Sequence, residues 1–145
     1  MKILVINGPN LNMLGTREVD IYGKTTLQEI NSSIVKHFID LDLDIHFYQS
    51  NYEGDIISKL QCAPKEFEGI VINPGAYSHY SIAILDAIKA IDLPVVEVHI
   101  SNIYKREEYR KKSITAEGAL GVISGFGYYS YILAIDYLHS YLLKK

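Results

Sequence analysis

The stretch Asn7-Gly8-Pro9-Asn10-Leu11-Asn12-Met13-Leu14-Gly15-Thr16-Arg17-Glu18-Val19-Asp20-Ile21-Tyr22-Gly23 directly follows a continuous apolar run at 3–6. That run reads as a strand buried on both faces, as in a parallel sheet. The stretch after it is too long for a simple strand-to-helix connector. It carries asparagines, Arg17 and Tyr22 between glycines, the composition of a lid or binding loop. Downstream, apolar periodicity predicts an alternation. A helix over 26–41 opens on a Thr26/Glu29 capping box. A strand at 44–50 and a short helix at 53–61 follow, then a strand at 70–73 ending in Asn73. A helix is predicted over 78–91, a strand over 94–99, and a charged helical turn over 104–112. A strand at 121–124 and a final helix at 128–143 close the chain. Five βα units imply parallel pairing with right-handed crossovers. The expected fold class is α/β, a flavodoxin-like five-stranded parallel sheet of order 2-1-3-4-5 with helices on both faces. The 145 residues are expected to form one domain.

Composition narrows the function classes. Hydrophobic residues are 48% and charged residues 21% of the chain, which fits a globular protein. A net charge of −3 argues against nucleic acid or an anionic membrane as the main partner. No apolar run reaches membrane-spanning length, and no signal-peptide pattern opens the chain. The lone Cys62 has no internal partner and reads as structural, so a cytoplasmic location is expected. No zinc spacing, Walker loop, GxSxG elbow or GxGxxG is present.

In the expected sheet order, strands one, three and four lie side by side. Ligands in such sheets bind beyond the carboxyl ends of the strands, at the switch point. The chemistry-bearing residues collect there: Asn7, Asn10, Arg17 and Tyr22; Asn73, Ser78 and His79; Glu97, His99 and Ser101. Glu97 and His99 are two apart on one strand and share a face. A carboxylate on an apolar strand is costly unless paired. Glu97 can hold the His99 ring, set its tautomer and raise its basicity, which makes His99 a candidate proton donor. The plain alternative is a satisfied structural pair. The Ile100 and Ser101 amides lead into a helical segment and could receive a carboxylate together with Asn73. Simple capping by Ser101 or Asn102 is the competing reading. Tyrosine ionises near ~10 and is a poor base at neutral pH unless cations favour the phenolate. Arg17 shares the lid with Tyr22. Arg106 and Arg110, at i and i+4 in the charged turn, are further candidates, against the alternative of a solvated helix face. His79 is expected to begin a helix and contact a ligand. Asp86 reads by itself as a surface carboxylate.

These motifs together resemble the type II 3-dehydroquinate dehydratases over nearly the whole chain. The carriers are Asn7–Asn12, Gly15–Glu18, Tyr22-Gly23, Gln49–Gly54, Asn73–His79, Glu97–Asn102 and Arg106–Arg110. The resemblance implies loss of water from 3-dehydroquinate to give 3-dehydroshikimate, by anti elimination through an enolate, in the shikimate pathway of aromatic amino acid biosynthesis. It implies no metal or coenzyme. By motif, Tyr22 is the implied base, with Arg17 holding it as tyrosinate. His99 is the implied acid, oriented by Glu97, and Asn10 the enolate stabiliser. Asn73 and the Ile100 and Ser101 amides are the implied carboxylate site. His79, Arg110 and Asp86 are implied contacts to ring hydroxyls, Asp86 from across a subunit boundary. The implied assembly is a homo-oligomer, trimers grouped into a dodecamer. Val19, Tyr80, Leu85, Tyr104, Ile114 and Glu117 depart from the common pattern of the family. Two rivals on the same fold are weaker. A flavin-binding electron carrier needs a hydroxyl-rich phosphate loop, where Pro9 removes an amide donor. A receiver-type signalling module needs acidic residues where Asn7 and Asn73 stand.

Overall fold

The computed structural model describes residues 1–145. Five parallel strands form one sheet: β1 (Lys2–Asn7), β2 (Asp44–Gln49), β3 (Gly69–Asn73), β4 (Val95–His99) and β5 (Gly121–Ser124). Their spatial order is β2-β1-β3-β4-β5, as expected from the alternating pattern. The helices are α1 (Val19–Tyr22), α2 (Leu27–His37), α3 (Glu53–Cys62), α4 (Ile82–Ala90) and α5 (Tyr129–Leu142). No helix is long and apolar enough to cross a membrane.

The period-2 geometry of the strands divides the core between two faces. Ile3 and Val5 of β1, with Val71, Val96 and Val98, pack against α2 and α5 through Ile30, Ile34, Ile135 and Leu138. Leu4 and Ile6, with Ile70, Ile72 and Val95, pack against α3 and α4 through Ile56, Leu60, Ile84 and Ile88. The α2 start is the expected capping box, with Thr26 Oγ1 accepting from the Glu29 amide and the Glu29 carboxylate accepting from the Thr26 amide. Ser81 Oγ donates to Glu53 Oε1 and ties α4 to α3.

Three expectations need correction. The segment 78–91 is not one helix. A 3-10 turn, Gly75–His79, comes first, and α4 begins only after Ser81, whose hydroxyl caps the Ile84 amide at 3.0 Å. His79 therefore ends a tight turn rather than starting a helix. The segment 104–112 is likewise not one helix but two 3-10 turns, Ile103–Lys105 and Glu108–Arg110, with Arg106 extended between them. The lid is less loop-like than its composition suggests. Leu11 and Leu14 are buried and pin a 3-10 turn, Leu11–Met13, to the α2 side of the core. A short helix, α1, then carries Tyr22.

Strands β1 and β3 end level, with Asn7 beside Asn73. The chain leaves β1 through Gly8, whose amide donates to the Asn73 carbonyl at 2.8 Å. A Cβ at Gly8 would collide with the Pro74 carbonyl, so the two strand exits come together only because a glycine stands there. Gly8→Ala is expected to destabilise the protein by about 1–3 kcal/mol. Urea unfolding of the variant measures this, and an unchanged midpoint would contradict the close approach.

Candidate active site

Beyond the carboxyl ends of β1, β3 and β4 lies a cleft holding about 600 Å³ of space, open at its mouth. Its walls include Asn10, Arg17, Tyr22, Asn73, His79, His99, Ile100, Ser101, Arg106 and Arg110. The lid on one side and the strand ends on the other thus face the same space, as the topology required.

The floor is built on Glu97, which has no exposure to water. Its carboxylate accepts from three side chains: His99 Nε2 at 2.7 Å, Ser113 Oγ at 2.5 Å and Thr115 Oγ1 at 2.5 Å. A buried carboxylate persists only with such compensation. The bond from Nε2 settles the ring: the other nitrogen, Nδ1, is left for the cleft. Ser113 and Thr115 had no signal in the sequence beyond being hydroxyls two residues apart. The chain between β4 and β5 folds them back under the strand.

Next to His99 the backbone is oriented with its amides unpaired. The His99 carbonyl accepts from Gly125 N and Ser130 Oγ, the Ile100 carbonyl from Gly127 N, and the Ser101 carbonyl from Ser124 Oγ. In a trans peptide the N–H points opposite to the preceding C=O. Fixing the first two carbonyls therefore aims the Ile100 and Ser101 amides away from α5, and neither donates to a backbone carbonyl. This differs from the expected helix N-terminus, because only a three-residue 3-10 turn follows. Asn102 does cap that turn, accepting from the Tyr104 amide at 3.1 Å. Asn73, 3% exposed, stands on the adjacent strand and completes the group of donors.

On the lid, Tyr22 lies between two guanidiniums. Arg17 sits over its ring at 5.0 Å and Arg106 at 5.3 Å, and Arg106 Nη1 donates to the Tyr22 hydroxyl at 2.5 Å. Arg106 is the more buried of the two, and its Nη2 is a buried donor without a protein partner, as is Arg17 Nε. The sequence put Arg17 first and Arg106 as a helper. In the structure it is Arg106, from the far side of the cleft, that holds the hydroxyl. Arg110 also lines the cleft, in an ion pair with Glu107 at 2.9 Å. The helix-face argument that grouped Arg106 with Arg110 fails, yet both line the cleft.

Asn10 adopts the left-handed conformation at φ 67°, which asparagine tolerates, and its amide donates to Asn51 Oδ1. Gln49 Nε2 at the end of β2 donates to the Gly8 carbonyl and to Asn51 Oδ1, so the lid root is held by the neighbouring strand. Glu18, at φ 40°, is a non-glycine residue in the same strained region, at the start of α1. His79 Nδ1 lies 2.8 Å from the Lys112 carbonyl. A carbonyl only accepts, so Nδ1 carries the proton and Nε2 is the acceptor offered to the cleft. Burial holds His79 below the ordinary imidazole value, partly opposed by that backbone bond, with the charges of His99 and Arg110 adding to the lowering. Asp86 is exposed on α4 and is not part of the cleft wall. None of the six residues that depart from the family pattern lines the cleft either.

Comparison with known proteins gives the family. Residues 1–139 match the sequence profile of the family described as Dehydroquinase class II. The chain belongs to the class II dehydroquinase family. It is therefore an enzyme, a hydro-lyase. A 3-dehydroquinate dehydratase from Clostridium botulinum (strain Okra / Type B1) is 66% identical over 143 residues, covering 99% of this chain and 97% of the relative. One from Clostridium acetobutylicum is 55% identical over 144 residues, 99% of this chain and 100% of the relative. The crystal structure of a type II dehydroquinase from Butyrivibrio crossotus superposes with a TM-score of 0.94 at 49% identity, over 96% of this chain and 97% of that one. Nothing in these class II dehydroquinase likenesses supports the flavin-carrier alternative.

Two measurements follow from the geometry. Thr115→Val removes one donor from the buried Glu97 at nearly constant volume and is expected to cost about 1–3 kcal/mol of stability. Equal unfolding midpoints for the two proteins would show that Thr115 does not support the carboxylate. In ¹⁵N NMR spectra at pH 6.5, His79 is expected to be mainly neutral and protonated on Nδ1. A ring more than half protonated there would contradict its burial.

Proposed function

We propose that this chain is a 3-dehydroquinate dehydratase that forms 3-dehydroshikimate in the shikimate pathway, using Tyr22 as base and His99 as acid. One observation carries the reading: a tyrosine held by Arg106 faces the same cleft as a histidine held by a buried carboxylate. Loss of water from a β-hydroxy ketone needs a base for the carbon acid, stabilisation of the enolate, and an acid for the departing hydroxyl. Tyr22 as phenolate takes the proton beside the ketone. Asn10 and the arginines beside the lid stabilise the negative charge that moves to the ketone oxygen. The His99 imidazolium donates from Nδ1 to the leaving hydroxyl, and water departs as the enolate collapses to the enone. Tyr22 then returns its proton through solvent and His99 regains one, which closes the cycle.

Binding follows the same partition. The Asn73 side chain at the end of β3 and the Ile100 and Ser101 amides after β4 receive the substrate carboxylate. His79 Nε2 accepts from a ring hydroxyl, and Arg110 donates to one. Closure of the lid over the substrate excludes water and brings Arg17 fully against Tyr22. Asp86 reaches a substrate only if a neighbouring subunit supplies it, in a dodecamer of trimers. Each chain acts as one domain, without metal or coenzyme.

The purified chain is expected to convert 3-dehydroquinate to a conjugated enone, followed by its ultraviolet absorbance. An inactive, folded protein would overturn the reading. Tyr22→Phe and His99→Ala are each expected to lower kcat by about 10²–10⁴-fold. His99→Ala should retain exchange of the proton beside the ketone, and an equal fall in exchange and dehydration would remove the division of roles. Arg106→Gln should impair kcat at least as much as Arg17→Gln. The opposite order would return the leading part to Arg17.

A further inference from the structure

We propose that Tyr131 is a positioning residue for the carboxylate site: held by Asn7, its hydroxyl joins the Gly75 amide in fixing which way the Asn73 amide faces. The proposal rests on the reading of Asn73 as a carboxylate donor.

Asn7, Tyr131 and Asn73 form a buried hydrogen-bond chain across three elements, β1, α5 and β3, with exposures of 1%, 0% and 3%. The donor inventory allows one direction for it. Gly75 N–H donates to Asn73 Oδ1 at 3.1 Å, so that oxygen faces the turn. Asn73 Nδ2 must then donate to the Tyr131 oxygen, at 2.8 Å. Tyr131 has one hydrogen, and it goes to Asn7 Oδ1 at 2.7 Å. One Nδ2 hydrogen of Asn73 remains without a protein acceptor, in a residue that lines the cleft. A reversed amide would offer the cleft an oxygen lone pair, which repels a carboxylate. Tyr131 and the Gly75 amide together oppose the reversal: a turned Asn73 would set its own N–H against the Gly75 N–H and leave the single Tyr131 hydrogen with two buried acceptors. Burial raises the Tyr131 phenol above its ordinary range, so the hydroxyl keeps its proton and the direction of the chain holds across the working pH.

A purely structural tyrosine would lower the melting temperature without selecting among kinetic constants. Steady-state kinetics with 3-dehydroquinate on Tyr131→Phe, Asn73→Ala and the double variant distinguish the two. Tyr131→Phe is expected to raise KM by about 10-fold, with kcat and its pH profile little changed, as loss of uniform binding does. In the Asn73→Ala background the same change is expected to leave KM within about 2-fold, because the group it orients is gone. An unchanged KM in Tyr131→Phe, a loss confined to kcat, or an equal KM effect in both backgrounds overturns the proposal. If Tyr131→Phe does not fold, Asn7→Leu removes the acceptor instead. It frees the Tyr131 hydrogen to donate to a turned Asn73, and the same pair of KM results is expected. An unchanged KM there also overturns it. Should Asn73→Ala itself leave KM unchanged, the carboxylate assignment fails first, and the role of Tyr131 fails with it.

Discussion

A carboxylate fully removed from water sits at the centre of this protein. Glu97 lies on a central strand whose neighbours are valines, and its burial is tolerable only because three side chains donate to it. Removing one partner from a buried pair typically costs about 3–5 kcal/mol, because the remaining charge is stranded. That constraint ties together the end of β4, the chain at 113–116 and the His99 ring. It also links stability to chemistry. The same oxygen that accepts from Ser113 holds the imidazole whose other nitrogen faces the cleft.

Around that anchor the cleft is assembled from groups whose alternatives have been used up. Three successive carbonyls, from His99 to Ser101, are occupied by donors from β5, α5 and the turn between them. Their amides are thereby committed to the opposite side. The chain is acidic as a whole, at −3, yet Arg17, Arg106 and Arg110 all line the cleft. Net charge described the surface seen by large polyanions. The local arrangement sets the potential inside the cleft. The lid is rooted by buried leucines and by Gln49 and Asn51, while its tip, with Glu18 in a strained conformation, is packed less deeply.

Much of this was legible from the chain alone, and the failures have definite causes. The apolar runs, the capping box at Thr26 and the βα alternation led to the observed strand order. The polar residues at three strand ends led to the cleft. Segment 78–91 misled because its apolar pattern continues through Ser81, whose hydroxyl restarts the backbone as a new helix. Segment 104–112 misled because i, i+4 spacing presumes a regular helix, and here two 3-10 turns flank an extended Arg106. Asp86 shows a different limit. Its position on α4 was readable, but a single chain leaves it outside the cleft.

What the sequence by itself determined is the pattern: where the five strands form, their order in the sheet through the βα alternation, and which residue types stand at the strand ends. Only the tertiary structure decided which of those polar groups touch. Arg106 meets the Tyr22 hydroxyl across 84 residues of chain, and Tyr131 meets Asn7 across 124. Periodicity has no reach over such separations. Hydrogen-bond partners in a dry interior are chosen by packing, which excludes water and leaves each donor only the acceptors that the fold has brought beside it.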